Sequence, residues 1–352
     1  MRRTIAPVGM RIVLTSLYAW PEVRRGGERY VHELGGALAE AGHDVRILAT
    51  GPAPARSEVR GVPVRLLRRR GDRAFAAQAF ARLAANRFDV WHASTTPDGA
   101  AAAVLGSLRG IRSVFTDHGF PARASRERRD DHRLHEVVVR RADAYVCVSE
   151  AAGEHLRADY GREPVVCSGG VDLRRFAPAR REPVPTLLFC GDANESRKGL
   201  PLLLDALRIL RGGDGGDVRL WVAGPGDQMV AATHDGVETL GVVDPDALAD
   251  RYARAWATVL PARAEAFGLV LVESLASGTP VVALDEGGPR EIVAHAPGRL
   301  ARPDDPEDLA RACAEAIELA ADPATAAACR DAARRWDWRE AIVPRMEAVY
   351  AA

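Results

Sequence analysis

The sequence predicts an α/β protein made of two doubly wound domains. Three observations lead there. Its 352 residues exceed what one ordinary core organises, and 47% of them are hydrophobic, enough to fill two. Short β-branched runs bounded by turn residues alternate with longer Ala-, Leu- and Arg-rich stretches of helical period, the pattern of βαβ units and parallel sheets. A segment dense in proline and charge divides two such series.

The first series of strands is RIVLTS (11–16), VRILA (45–49), VPVRLL (62–67), DVWHA (89–93), RSVFTD (112–117) and AYVCVS (144–149). FAPARREPVP (176–185) then reads as a linker. The second series is TLLFC (186–190), VRLWVA (218–223), ATVLP (257–261), PVVAL (280–284) and GRLA (298–301), so the domains join near residue 178. RGGDGGD (211–217) has the glycine density of a surface turn. WDWREAIVPRMEAVY (336–350) is amphipathic and follows a completed alternation, which leaves it free to cross back onto the first domain.

In the opening MRRTIAPVGMRIVLTSLYAW Arg11 interrupts the apolar stretch and no small-residue cleavage site follows, so a signal peptide is not expected, and Met10 is an alternative start. No apolar run approaches the roughly 18 residues that span a bilayer. The five cysteines lack metal-type spacing, and the expectation is a reduced, cytoplasmic protein. The net charge of zero conceals an asymmetry: residues 1–180 carry 30 Arg against 20 acidic residues, and residues 181–352 carry 18 basic against 28 acidic. Two readings stay open. The basic half, densest at Arg68, Arg69, Arg70 and the RERR run 126–129, offers a surface for phosphates or an anionic membrane, peripherally at the inner face; or the halves simply attract each other. Nothing points to nucleic acid. Lys198 is the one lysine beside 47 arginines. Such a bias fits a GC-rich bacterial genome and marks Lys198 as a place where a compact ammonium does what a guanidinium cannot.

The most informative stretch is PARAEAFGLVLVESLASGTPVVALDEGGPREIV (261–293), which closes one strand and opens a helix. The turn Phe267, Gly268, Leu269 would present backbone N–H groups at a helix start, suited to anionic oxygen. Glu265 and Glu273 bracket it, one in the loop and one in the helix. Upstream, Gly26 and Gly27 let backbone approach a phosphate or an acceptor, although most glycine pairs are turns. His118 stands just past a strand, at the carboxyl edge where open sheets bind ligands. DPD (244–246) reads as a helix start, Asp244 at the cap and Pro245 at the first helical position, rather than a metal motif. GPGD (224–227) lacks the third glycine of a dinucleotide fingerprint, so no nicotinamide or flavin cofactor is expected.

E-x7-E at Glu265 and Glu273, followed by GTPVVA and GG-x-x-E, resembles the retaining family 4 glycosyltransferases, the group containing sucrose-phosphate synthases, phosphatidylinositol mannosyltransferases and mycothiol glycosyltransferases. FCGDANESRKGLPLLLDAL (189–207) and the glycine pair fit in order. The resemblance implies the GT-B fold, two Rossmann-like domains facing an interdomain cleft: an acceptor-side domain 1–177, a nucleotide-sugar domain 178–335, and a terminal helix 336–352. It implies transfer of a sugar from a UDP- or GDP-sugar to an unidentified acceptor hydroxyl with retention, and no metal or cofactor. By the same resemblance Arg197 and Lys198 neutralise the donor diphosphate, Glu265 contacts the donor sugar, and the backbone of Phe267, Gly268 and Leu269 lies against sugar and diphosphate. Glu273 holds the ribose, Gly26 and Gly27 line the donor side of the cleft, and His118 is the active-site histidine near the sugar. One departure is Gly169 in SGGVD (168–172), where the family carries Asn. Rival readings are a nucleotide-sugar epimerase of the same fold and a noncatalytic nucleotide-sugar-binding subunit.

Overall fold

A computed structural model describes residues 9–23, 25–119, 129–212, 216–226 and 234–352. The RERR side chains, residues 213–215 of the glycine-rich turn and Asp227 of GPGD lie outside the described residues. The chain separates into two compact units, Met1–Gly170 with Ala341–Ala352, and Val171–Glu340.

The first unit carries an eight-stranded sheet in the order β3-β4-β2-β1-β5-β6-β7-β8. Its strands are β1 (Arg11–Tyr18), β2 (Asp44–Gly51), β3 (Ala55–Val59), β4 (Val62–Arg68), β5 (Val90–Ala93), β6 (Arg112–Asp117), β7 (Ala144–Cys147) and β8 (Val165–Val166). All neighbours are parallel except β3 and β4, a hairpin at the edge. Helices α1 (Gly26–Glu40), α2 (Asp72–Leu83), α3 (Thr96–Arg109), α4 (Arg129–Arg141) and α5 (Glu150–Tyr160) make the crossovers. The order reverses at β1, whose neighbours are β2 and β5. The central strands are buried, Ile12, Leu14, Ile47 and Trp91 all at 1% exposure or less, as expected when helices cover both faces of a parallel sheet.

The second unit carries a six-stranded parallel sheet in the order β11-β10-β9-β12-β13-β14. Its strands are β9 (Thr186–Cys190), β10 (Arg219–Ala223), β11 (Val237–Gly241), β12 (Ala257–Leu260), β13 (Val281–Leu284) and β14 (Gly298–Ala301). Here the order turns at β9, flanked by β10 and β12. Helices α6 (Leu200–Gly212), α7 (Pro245–Arg254), α8 (Leu269–Ala276), α9 (Gly287–Val293), α10 (Pro306–Ala321) and α11 (Ala324–Ala333) belong to it. Leu203, Leu207, Leu309 and Ala316, from α6 and α10, bury against Leu187, Leu220 and Val259 of the sheet.

The units change over at 170/171 and 340/341, not at 177/178 and 335/336. Val171 pairs with Asp337 as a parallel bridge, and its amide donates to the Trp336 carbonyl at 2.8 Å, so both segments belong to the second unit. Nor is 176–185 a free linker. Phe176 is buried, and the Arg181 guanidinium donates to the carbonyls of Ala255, Gly278 and Ala320. Beyond it α12 (Val343–Ala351) packs within the first unit, where Glu347 meets His43 at 2.9 Å and Tyr350 meets His92 at 2.7 Å. Asp244 caps α7 by accepting from the Asp246 amide, with Pro245 at its first turn. Among the described residues no helix is long and apolar enough to cross a membrane.

Candidate active site

In an open α/β sheet, ligands bind past the carboxyl ends of the strands where strand order reverses. In the second unit that place is the exit of β9 and β12, and the two exits are tied together. After β9 the chain makes a single 3₁₀ turn, Ser196–Lys198, then Gly199 at φ 74°, before entering α6. A Cβ on Gly199 would overlap the carbonyl oxygen of Pro261, the residue after β12. The Arg263 amide donates to the Arg197 carbonyl at 2.7 Å, completing the join.

This approach gathers charges that are 68 residues apart in sequence. Lys198 Nζ donates to Glu265 Oε2 at 2.7 Å, and Arg197 Nη1 reaches the same oxygen at 3.3 Å. Arg197 also holds the exposed Glu195 through Nε at 2.5 Å. The side chains of Lys198 and Glu265 are each 17% exposed while that of Arg197 is 44% exposed, so the pair is shielded and the guanidinium faces solvent. The loop bearing Glu265 is fixed from behind. Glu286 accepts from the Ala264 amide at 2.9 Å and from Arg263 Nε, and the Gly288 amide donates to the Glu265 carbonyl at 3.1 Å. Gly288 can make that approach only as glycine, since a Cβ would overlap the Ala266 carbonyl. Ala264 at φ 49° holds a backbone conformation unusual for a residue with a side chain.

Gly268 precedes α8 at φ 101° and turns the chain so that Leu269 starts the helix, while Phe267 is buried beside it. Glu273, inside α8, is 3% exposed and accepts from the Tyr252 hydroxyl at 3.0 Å. Arg197, Lys198 and Glu265 therefore form one cluster, and Glu273 belongs to a neighbouring buried pair.

In the first unit Gly26 and Gly27 are the first two residues of α1, and the backbone of Gly27 faces His118: a Cβ there would sit 3.5 Å from the ring. His118 follows β6, with Tyr30 set edge-on to it at 4.7 Å between ring centroids. Its Nε2 is shielded from solvent and makes no hydrogen bond, and burial pushes its pKa down to about 4. At neutral pH the ring is uncharged. A second buried histidine of this unit went unnoticed in the sequence. His92 on β5 bonds Thr116 Oγ1 at 2.5 Å and the Tyr350 hydroxyl at 2.7 Å, and burial lowers its pKa to about 3. His92 looks in sequence like any strand histidine, and its partner lies 258 residues away, so no local pattern announces the pair.

Of the arginine triplet, Arg68 and Arg70 are exposed. Arg69 is engaged internally, paired with Glu22 at 2.6 Å and set over the Tyr18 ring at 4.9 Å.

The family described as Glycosyltransferase Family 4 matches residues 24–175, and Glycosyl transferases group 1 matches residues 184–318. D-inositol 3-phosphate glycosyltransferase 1 of Catenulispora acidiphila is 30% identical over 99% of this chain and 97% of its own. Sucrose-phosphate synthase from Thermosynechococcus elongatus superposes with a TM-score of 0.79 at 22% identity, over 97% of this chain and 98% of the other. Anabaena HepE, solved in complex with UDP-glucose, superposes with a TM-score of 0.77 at 18% identity, over 97% and 100% of the two chains.

Proposed function

The chain belongs to the family 4 glycosyltransferases, and on that premise we propose that its donor is a nucleoside diphosphate sugar held by residues 171–340. The observation that carries this reading is the convergence of Arg197 and Lys198 on Glu265 at the strand-order reversal of the second sheet. Glu265 is paired with both cations. An arriving diphosphate takes them over, and the freed carboxylate turns to the sugar hydroxyls. The UDP-glucose seen with the Anabaena protein supports this donor chemistry.

Two fixed cations in a partly shielded pocket stabilise the charge that grows on the leaving diphosphate more than that of the ground state. They leave no need for a divalent ion at the diphosphate. We assign Glu273, oriented by Tyr252, to the ribose hydroxyls, the Phe267–Leu269 backbone to sugar and diphosphate, and neutral His118 to a hydroxyl of the donor sugar. The Gly26–Gly27 start of α1 is assigned to a phosphate or the acceptor. Transfer then runs with retention. The acceptor oxygen bonds to the anomeric carbon on the face the diphosphate leaves, the anomeric C–O bond breaks with its electron pair going to the diphosphate, and the departing phosphate oxygen takes the hydroxyl proton.

The test is incubation with UDP-, GDP-, ADP- and TDP-sugars and candidate acceptors, following nucleoside diphosphate release and the anomeric coupling constant of the product by NMR. One nucleotide consumed with an unchanged anomeric configuration is expected. An inverted product sinks the retaining mechanism, and a chain that binds none of the panel sinks the donor assignment.

A further inference from the structure

We propose that Asp117, His135 and His155 form a binding site for a divalent transition-metal ion of the zinc class. The three come from the end of β6, from α4 and from α5, and one ligand atom of each lies within 4.8 Å of the others. All lie in the first unit, apart from the cations assigned to the diphosphate, so the site stands whether or not the donor reading holds.

His155 carries the inference. Its Nδ1 lies 2.8 Å from the Ala152 carbonyl, which can only accept, so that nitrogen holds the ring proton and Nε2 of the neutral ring presents a lone pair. The side chain is 9% exposed, Nε2 makes no hydrogen bond, and Asp117 Oδ2 stands 3.8 Å from it. A buried lone pair facing a carboxylate is unfavourable unless a cation lies between them. Distance and burial leave room for an ion, and both groups are of the kind that ligate one.

His135 is prepared in the same way. The Tyr145 hydroxyl donates to Asp117 Oδ2 at 2.9 Å, so its oxygen takes the Nε2 proton of His135, also at 2.9 Å. His135 Nδ1 is 3.2 Å from the Tyr160 hydroxyl. Moving one proton from Nε2 to Nδ1 hands it to the Tyr160 oxygen and frees Nε2 for the metal, with no proton lost. Each imidazole then has its second nitrogen held, by the Ala152 carbonyl and the Tyr160 hydroxyl, which is the support that metal-bound histidines require. Asp117 Oδ1 is steadied by the Gly119 amide at 3.2 Å. Two imidazoles and one carboxylate suit Zn²⁺, with a fourth position for water or the Tyr145 oxygen. The ion would pin the exit of β6, which carries His118, to α4 and α5.

The experiment uses the full chain without a polyhistidine tag, stripped with chelator and titrated with Zn²⁺ against a chromophoric chelator, and separately with Co²⁺ followed by its visible d–d bands. One equivalent of each is expected, with cobalt bands of a low-coordinate nitrogen/oxygen site. His155→Ala should weaken zinc binding by at least about 100-fold and Tyr160→Phe by about 10-fold. Circular dichroism reports whether each variant folds, and if His155→Ala does not, Tyr160→Phe decides. No saturable binding by the wild type, or an affinity unmoved in the folded variants, overturns the site. So does an NMR spectrum with Zn²⁺ in which the His155 ring carries both protons beside Asp117, because a proton then stands where the ion is placed.

Discussion

Removing the ammonium of Lys198 tests the diphosphate assignment most directly. In the structure Lys198 Nζ is 2.7 Å from Glu265, with both side chains 17% exposed, so its charge is only partly screened. When a diphosphate replaces Glu265 as its partner, Lys198 contributes a hydrogen bond between charged groups, about 1.5–3 kcal/mol. At 1.4 kcal/mol per tenfold change, Lys198→Ala should weaken nucleoside diphosphate binding about 10- to 100-fold. Glu265→Gln should act in the opposite sense: it removes the anion that competes for the same cations, so the nucleoside diphosphate without its sugar binds as tightly as before or more tightly, while sugar transfer falls. Isothermal titration calorimetry with UDP, GDP, ADP and TDP, with and without EDTA, measures both. A Lys198→Ala variant that keeps its fold and its wild-type affinity refutes the assignment. So does a Glu265→Gln variant that loses nucleoside diphosphate binding as severely as Lys198→Ala, because Glu265 would then be a ligand of the phosphates and not their competitor.

Other expectations follow from the same geometry. Gly199→Ala combines a positive φ with overlap on the Pro261 carbonyl and should destabilise the chain by about 2 kcal/mol or more in urea unfolding; a loss below about 0.5 kcal/mol would show that the two strand exits are not locked together. His92 and His118 have folded pKa values below that of the unfolded chain, so the unfolded state binds more protons as pH falls below about 6.5. Stability should drop from about pH 6.5 toward pH 3, and His92→Gln should flatten that profile; an unchanged slope would refute the shift. His118→Ala should lower kcat with little change in nucleoside diphosphate affinity, and a purely structural role would instead appear as a lower melting temperature with normal kcat. If the basic first unit meets a membrane, Arg68→Ser with Arg70→Ser should weaken binding to phosphatidylserine vesicles by about 1 kcal/mol per charge, whereas equal binding to anionic and neutral vesicles would rule that contact out.

Most of the parallel strands were legible because their runs are β-branched or apolar and largely buried. β1, β2, β4 to β7, β9, β10 and β12 to β14 all fall where the pattern places them, give or take a few terminal residues. The three strands it passed over, β3, β8 and β11, are all edges; the fourth edge, β14, was read. β3 has four of its five residues exposed, β8 is two residues long, and β11 has polar Glu238 and Thr239 in its middle. Edge strands bury too little to need an apolar run, so periodicity is silent there. In the site, sequence neighbours were readable as a unit: Arg197 with Lys198, and Glu265 with the turn after it. The long-range partners were not. Nothing near Glu273 indicates Tyr252, nothing near Ala264 indicates that Glu286 holds its amide, and Arg181 inside an apparently loose proline-rich stretch gives no sign that it is a half-buried anchor. Such pairings arise from how strands return to one edge of a sheet, and a linear pattern does not encode that return.

The bridge between Val171 and Asp337 brings the two ends of the second unit side by side. Along the chain the unit is therefore an insertion between Gly170 and Ala341, with its own ends close together. During synthesis on the ribosome all of residues 171–340 emerges before α12 can supply Tyr350 to His92, so the inner unit can complete its core while the outer one still lacks its last helix. An excised fragment beginning at Val171 and ending at Glu340 would have neighbouring ends, which suits it to stand alone or to be carried by another host domain.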